Sequence, residues 1–199
     1  MPKKVDPEQR RAEIAGAALR VAGRHGVQGV TFREVASEAG ISVALVQHYF
    51  GTKQNLVMGA VDRLSAEMAA RFSRQLASLG PDANPFDQLQ VIAMAFLPTD
   101  DASREAMIFY HGVGALSLTD PTLQGPEVHT NAGLLTDTLA TLIRSSQAAG
   151  EITPDIDAQV HARLLLAIVL GLSSSVLVGN DTIDDAIAAV ETFVTRLRP

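Results

Sequence analysis

A histidine, a tyrosine and a lysine fall within six residues of one another in the segment HYFGTK, residues 48–53. An imidazole, a phenol and an amine could exchange protons with a substrate. The same three groups could instead donate hydrogen bonds to a polyanion such as the phosphate backbone of DNA. The secondary structure that carries the segment indicates which of these chemistries fits.

The apolar residues of this 199-residue chain recur at helical spacing in every long segment, so we expect an all-α fold of about nine helices. Two of the predicted helices are short, and the second of them ends within the HYFGTK segment. Thr31 is placed to cap the first of them, Gly40 to end it and Ser42 to cap the second. Thr52 is placed to cap a long fourth helix.

The spacing of small and apolar residues across 31–50 is typical of a helix-turn-helix. Ala36 is small where the two helices would cross, and Gly40 lies where the turn needs a positive φ. Val46, six residues further on, is apolar and is predicted to face the core. An ordinary αα-hairpin shares this pattern, so the spacing alone leaves both interpretations open.

The outward side of the second short helix would meet base edges if the helix entered a major groove. There Gln47 can pair with adenine, and Val43 and Ala44 can contact thymine methyl groups. His48 can donate to a base acceptor or to a phosphate, and the hydroxyl of Tyr49 can reach a phosphate.

Lys53 falls in the first turn of the long helix, where a cation opposes the helix dipole. The placement fits if an external anion binds there, held by Lys53 and the free backbone N–H groups of the helix N-terminus. The hydroxyls of Thr31 and Thr52 would add contacts. The alternative is a solvated lysine that costs a little stability.

The charge distribution separates the chain into a basic head and an acidic remainder. Residues 1–55 carry a net charge of +3, whereas the whole chain carries −6. This asymmetry fits a head that alone meets a polyanion, although ordinary surface scatter would also produce it. The absence of cysteine excludes a disulfide framework, a Cys-ligated zinc site and thiol catalysis.

The motifs of common enzyme and cofactor sites are missing from the sequence. None of the five histidines forms an HExxH or Glu-x-x-His set, and there is no P-loop and no GxGxxG segment. We therefore expect no enzymatic activity, no cofactor and no metal. The rival to a DNA-binding protein is a helical adaptor, which would have no use for Tyr49 and Lys53.

Residues from about 8 to 57 resemble the N-terminal domain of TetR-family transcriptional regulators. The resemblance is carried by AxxVAGRHG at 18–26, VTFREVASEAGIS at 30–42 and HYFGTKQNLV at 48–57. It implies a dimeric, ligand-responsive regulator, most often a repressor, that binds a quasi-palindromic operator of double-stranded DNA. The predicted DNA-binding residues are Thr31, Arg33, Ser42, Val43, Ala44, Leu45, Gln47, His48, Tyr49, Thr52 and Lys53.

Two positions depart from the pattern of many relatives. Leu45 stands where a small residue is frequent, and Gln47 where an aromatic residue is frequent. The departures leave the fold intact but change the expected base preference. The rest of the chain resembles the betaine-aldehyde-regulator-like type, so we expect a DNA-binding domain at 1–55 and a ligand-binding and dimerisation domain at 56–199.

The last two predicted helices, 156–178 and 182–197, have wide apolar faces and could form half of a four-helix bundle between two subunits. Covering the subunit's own core is the alternative. The proposed dimerisation residues are Val160, Leu164, Ile168, Gly171, Ser175, Ile183, Ile187, Val190 and Val194.

An effector site is expected in the same domain, for a largely apolar small molecule. Aromatic residues and methionine at helical spacing also suit an ordinary core, so this prediction rests mainly on the resemblance. The proposed ligand-binding residues are Met68, Phe72, Phe96, Phe109, Tyr110, His111, His129 and Arg163.

The sequence gives little sign of a membrane or secreted protein. The basic N-terminus MPKKVDPEQRR precedes no apolar run, so it is not a secretory signal. The most apolar segment, Leu164–Leu172, extends only to Gly179 before it ends, which is short of the roughly 20 residues of a membrane span. We expect a buried helix there, and a cytoplasmic protein that does not bind a membrane.

Overall fold

The computed structural model describes residues 6–120, 123 and 126–199, without the side chains of 126–132. In that part of the chain the regular structure is helical, which confirms the predicted all-α class. One 3₁₀ turn, Val27–Gly29, separates the first two of nine α-helices. The helices are α1 (Pro7–His25), α2 (Phe32–Ala39), α3 (Val43–Phe50), α4 (Lys53–Ser78), α5 (Pro85–Met94), α6 (Asp101–Ser117), α7 (Pro126–Ala148), α8 (Ala158–Val178) and α9 (Ile183–Thr195).

The short helices α2 and α3 begin and end at the predicted residues. The side chains of Thr31, Ser42 and Thr52 each accept a hydrogen bond from the backbone N–H three residues further on, at 3.1, 3.2 and 3.1 Å. Each bond satisfies one of the donors that a helix N-terminus leaves without a partner. Gly40 ends α2 in the left-handed region with φ of 64°, which a side chain would disfavour.

The first of two compact units comprises the described residues of 1–67 and 108–125. Helix α1 packs on α2 and on the 3₁₀ turn, and α2 packs on α3. Their shared core is apolar, which fixes the short helices that would not be stable alone. The buried side chains include Ile14, Ala18, Val21, Val35, Val46, Phe50 and Leu56.

The second unit comprises residues 68–107 and the described part of 126–199. Here α7 packs on α5 and α8, while α9 packs on α8 and α5. The predicted division at residue 55 does not coincide with these compact units. The reason is that α4 runs unbroken from Lys53 to Ser78 and leaves no linker, and that the second half of α6 belongs to the first unit.

Helix α8 differs from the buried helix that its composition predicted. It is 21 residues long and, by length and composition alone, apolar enough to cross a membrane. Its inner side is buried at Ala162, Leu165 and Val169, but Val160 and Leu164 are each 46% exposed. The expectation of a buried helix was wrong because only one side of α8 packs against the second unit.

Candidate nucleic-acid interface

Helix α3 has a buried side and an exposed side, as its sequence predicted. Val46 and Phe50 are only 0% and 2% exposed, so they anchor the helix in the first unit. Leu45 and Tyr49 are half-buried at the edge of the helix. The exposed side is formed by Val43, Ala44, Gln47 and His48. This side can therefore approach a groove without unfolding any part of the core.

The C-terminal end of α3 is held by three neighbours of Phe50. The guanidinium of Arg11 lies 4.4 Å from the centroid of the Phe50 ring and donates to the carbonyl oxygen of Tyr49 at 2.7 Å. The side-chain amide of Asn55 donates to the carbonyl oxygen of Phe50 at 2.9 Å. A β-carbon on Gly59 would lie 2.5 Å from Cε1 of Phe50. The ring therefore sets the distance between α3 and α4.

A carboxylate from α2 ties that helix to α1. Glu38 accepts a hydrogen bond from Arg20 at 2.7 Å and another from Arg24. These hydrogen bonds, led by that of Arg20, hold the pKa of the Glu38 carboxyl below its usual value. The cluster stabilises the packing of α2, the first helix of the helix-turn-helix, on α1.

We expect Glu38→Gln to lower the stability of the protein by up to about 1 kcal/mol at neutral pH, since partly exposed ion pairs contribute little. The pKa of Glu38 is lower in the folded state, so its contribution is present above the unfolded pKa and is lost as pH falls through the folded pKa. Urea unfolding of both proteins between pH 7 and pH 3 measures this. Equal differences at both ends of that range would contradict the assignment.

Hydroxyl groups stand at the N-termini of α2, α3 and α4. The oxygens of Thr31, Ser42 and Thr52 accept from the backbone, so each hydroxyl proton can still be donated to an anion. All three residues are exposed, as is Arg33 in the first turn of α2. The first unit thus presents three N-terminal ends with donors on its surface.

Lys53 is the first residue of α4 and is exposed, as predicted. Its amino group donates to the carbonyl oxygen of Gln28, in the 3₁₀ turn, at 3.4 Å. This contact restricts the otherwise flexible side chain near the N-terminus of α4. Two donors of the ammonium group remain for another acceptor.

The proposed ligand residues are divided between the two units. Phe109, Tyr110 and His111 belong to the first unit, where Phe109 is fully buried. The rings of Tyr110 and His111 meet edge to face with centroids 5.6 Å apart. Burial raises the pKa of Tyr110 and lowers the pKa of His111, so both side chains favour their neutral forms near pH 7.

The ligand residues of the second unit lie on α4, on α8 and near the end of α5. The rings of Phe72 and Phe96 have centroids 5.4 Å apart, and Met68 is half-buried one turn before Phe72. Arg163 is exposed on α8, whose inner side is formed by other residues, and its assignment to the ligand site stays a prediction. His129 lies outside the residues whose side chains the structure describes.

The proposed dimerisation residues separate into an exposed set and a buried set. On α8, Val160, Leu164 and Gly171 are exposed, and Ile168 and Ser175 are half-buried, as are Ile183 and Ile187 on α9. Val190 and Val194 are 0% exposed, so their assignment to a subunit interface was wrong. They form part of the protomer's own core because α9 turns that side toward the rest of the second unit.

Three contributors to the interface were missed from the sequence. In the sequence, Arg11 is one of several basic residues and has no feature that sets it apart. The residue type of Gln28 does not indicate that its backbone carbonyl accepts a hydrogen bond from Lys53. Gly59 did leave a signal. A glycine inside a long helical pattern costs about 1 kcal/mol relative to alanine, so its presence indicates a close approach of another element.

Known proteins similar to this chain are transcriptional regulators of the helix-turn-helix type. Residues 14–58 match the family model of bacterial regulatory proteins of the TetR family, and residues 85–199 match the C-terminal model of BetI-type transcriptional repressors. The BetI regulator of Burkholderia mallei is 29% identical over 94% of this chain and 98% of its own length. For BetI of Agrobacterium fabrum the identity is 34% over 54% of this chain, which spans 50% of that relative.

A solved structure supports the same relationship. The transcriptional regulator from Saccharomonospora viridis in complex with choline is 26% identical, with a TM-score of 0.80 over 94% of this chain and 96% of its own. The curated relatives are transcriptional regulators rather than enzymes, which agrees with the sequence analysis. The chain belongs to the TetR family of bacterial transcriptional regulators, and its C-terminal part is of the BetI type.

Proposed function

We propose that the protein binds an operator as a homodimer, represses transcription from it, and is released by a small molecule. The observation that carries this proposal is the exposed side of α3 beside three hydroxyl-capped helix N-termini in one unit. A recognition helix needs such an exposed side, and phosphates on either side of a groove need such donors. The expected location is the cytoplasm, where the operator lies.

Base reading is assigned to the exposed side of α3. Gln47 is the main candidate for a direct contact because its amide can pair with N6 and N7 of adenine. Val43 and Ala44 lie nearer the start of the helix, where they would meet thymine methyl groups. His48 and the half-buried Leu45 lie near the same bases.

Phosphate binding is assigned to the helix N-termini around α3. Lys53 and the N–H groups at the start of α4 would hold one phosphate, with the hydroxyl of Thr52. Thr31 and Arg33 at the start of α2 and Ser42 at the start of α3 would hold others. The hydroxyl of Tyr49 completes the proposed set.

We expect Lys53→Ala to weaken binding similarly on all duplexes and to lower the slope of log K against log salt by about one unit. The lost contact is to a phosphate, which carries no sequence information. Gln47→Ala is the contrasting variant: it should keep the salt slope and relax base preference at one position of each half-site. Fluorescence anisotropy over a salt series measures both effects. A Lys53→Ala protein that changed its sequence preference but kept the salt slope would contradict the phosphate assignment.

The homodimer is proposed from the exposed apolar side of α8. Val160 and Leu164 lie one turn apart on it, and Ile168 and Gly171 continue the same side. Burying this side against a second copy would remove apolar surface from water. Two recognition helices about 34–36 Å apart would then enter successive major grooves of a quasi-palindromic site.

The effector is proposed to bind within residues 56–199. The aromatic pair of Phe72 and Phe96 lies in the second unit, on and beside helix α4. The S. viridis relative was crystallised with choline, and aromatic faces attract quaternary ammonium groups. Choline is therefore the first effector to test, followed by uncharged, more apolar compounds. Helix α4 is continuous from the second unit to Lys53. A ligand that shifts this helix could therefore change the affinity of the protein for its operator.

Release by the effector is tested with the protein bound to a selected duplex. Choline is added over a concentration series, with the matched salt as a control for ionic strength. Dissociation by choline beyond that of the salt would support the proposal. An unchanged complex would exclude choline and direct the screen to apolar compounds.

A further inference from the structure

The 3₁₀ turn Val27–Gly29 packs on α1 and is also contacted by residues of α4 and α6. Gly112 of α6 lies so close that a β-carbon there would be 2.8 Å from Cγ2 of Val27 and 3.9 Å from its backbone nitrogen. Val27 is only 4% exposed, so it has little room to move away. The absence of a side chain at Gly112 is therefore a condition for this packing.

The residues that follow Val27 lead to the proposed phosphate anchors. Gln28, next to Val27, offers its carbonyl oxygen to the amino group of Lys53 at 3.4 Å. The backbone N–H of Val30 donates to the carbonyl of Val27 at 3.1 Å, and Thr31 follows as the cap of α2. A displacement of Val27 would therefore move the acceptor of Lys53 and the N-terminus of α2 together.

We infer that Gly112 is a positioning residue for operator binding, acting through Val27 and Gln28 on Lys53 and Thr31. The inference rests on the proposed function and adds a route to it that does not pass along α4. Helix α6 is continuous, and its second half lies in the first unit. Any event that rotates or shifts α6 would reach the phosphate anchors through Gly112.

The start of α6 is held by residues of the second unit. Asp100 accepts from the backbone N–H of Ser103 at 2.6 Å, which caps the helix. Arg71 of α4 lies 3.4 Å from the same carboxylate and donates to the hydroxyl of Thr99 at 3.2 Å. The pKa of Asp100 is lowered, first by its hydrogen bonds with Ser103 and then by Arg71. The cap thus stays ionised at neutral pH.

Alanine at Gly112 tests the inference, and alanine at Gly114 is the matched control. Gly114 lies on the same helix, and a β-carbon there would meet nothing within 4 Å. We expect Gly112→Ala to weaken binding of a selected duplex on the order of tenfold, corresponding to roughly 1.4 kcal/mol. The salt slope should fall with it, since the Lys53 contact is misplaced. Gly114→Ala should bind as the original protein does.

Two further variants separate positioning from loss of stability. Val27→Ala removes the methyl group that the new β-carbon meets, so it should restore affinity to Gly112→Ala. In a Lys53→Ala background, Gly112→Ala should cost less than it does alone, because the two changes act on one contact. Full additivity in this cycle, or failure of Val27→Ala to restore binding, would overturn the inference.

Hydrogen exchange in the DNA-free protein gives a readout that does not depend on operator binding. Gly112→Ala should raise exchange in peptides covering 27–33 and 50–56, whereas Gly114→Ala should not. Equal exchange in both variants would contradict the inference even if no duplex were bound. Raised exchange with no operator binding by the original protein would instead contradict the proposed function alone.

Discussion

Replacing Gly59 by alanine is expected to lower operator affinity by more than tenfold and to lower thermal stability. The new β-carbon would lie 2.5 Å from Cε1 and 3.3 Å from Cζ of Phe50, which is only 2% exposed and has Arg11 4.4 Å from its ring centroid. Overpacking of this kind costs roughly 1–3 kcal/mol. The gain in helix propensity, about 1 kcal/mol, offsets only part of it.

The loss of affinity should exceed what the loss of stability explains. Phe50 is the last residue of α3, so moving its ring should turn the exposed side of that helix away from the orientation proposed for groove binding. Anisotropy with a selected duplex and thermal unfolding of the same sample measure both effects. Combining Gly59→Ala with Phe50→Leu, a smaller side chain, should recover part of the affinity.

Gly16→Ala provides the matched control. Gly16 is also a buried helical glycine, but a β-carbon there would lie 3.6 Å from Nη1 of Arg20, which is ordinary contact. This variant should gain helix propensity and keep operator affinity. If Gly59→Ala behaved as Gly16→Ala does, the Phe50 ring would not set the position of α3.

Replacing Leu164 by glutamate is expected to dissociate the dimer and to reduce operator affinity at least a hundredfold. Leu164 is 46% exposed at the centre of the apolar side of α8. A charge buried there without a partner would cost several kcal/mol, which exceeds the contribution of any single apolar contact. A monomer binds one half-site only and loses the gain in effective concentration that links the two heads.

Sedimentation equilibrium gives the oligomeric state of this variant, and anisotropy gives its affinity for a full site and for a half-site. Leu118→Glu is the control, because Leu118 is 83% exposed but lies beyond α6 in the first unit. It should remain dimeric and bind as before. A Leu164→Glu protein that stayed dimeric would place the subunit interface elsewhere.

The helix-turn-helix could be predicted because its determinants are local. Thr31 and Gly40 fix the two ends of α2, and Ser42 fixes the start of α3, all within a dozen residues. Ala36 and Val46 indicate how the two helices cross. Caps and left-handed glycines act over one turn, so residue type and spacing are sufficient evidence. The exposed side of α3 followed from the same spacing.

Contacts between distant residues could not be predicted in this way. Arg11 and Tyr49 are 38 positions apart, and no pattern in the sequence pairs them. Val27 and Gly112 are further apart still. For α9, spacing showed apolar residues without showing which of them face the protomer's own core, so Val190 and Val194 were misassigned. For α8, spacing likewise did not show that one apolar side stays exposed in the protomer, so a buried helix was expected.

Selection from a random pool of duplex DNA with purified protein at physiological salt tests whether the protein binds a specific operator as a dimer. We expect enrichment of a two-fold-symmetric motif whose half-sites lie one helical turn apart. That result would establish sequence-specific binding by a dimer and supply the probe for every variant above. Only non-specific binding, with Kd of about 10⁻⁴–10⁻⁶ M and no enriched motif even after the protein has been unfolded and refolded to remove any bound effector, would contradict it.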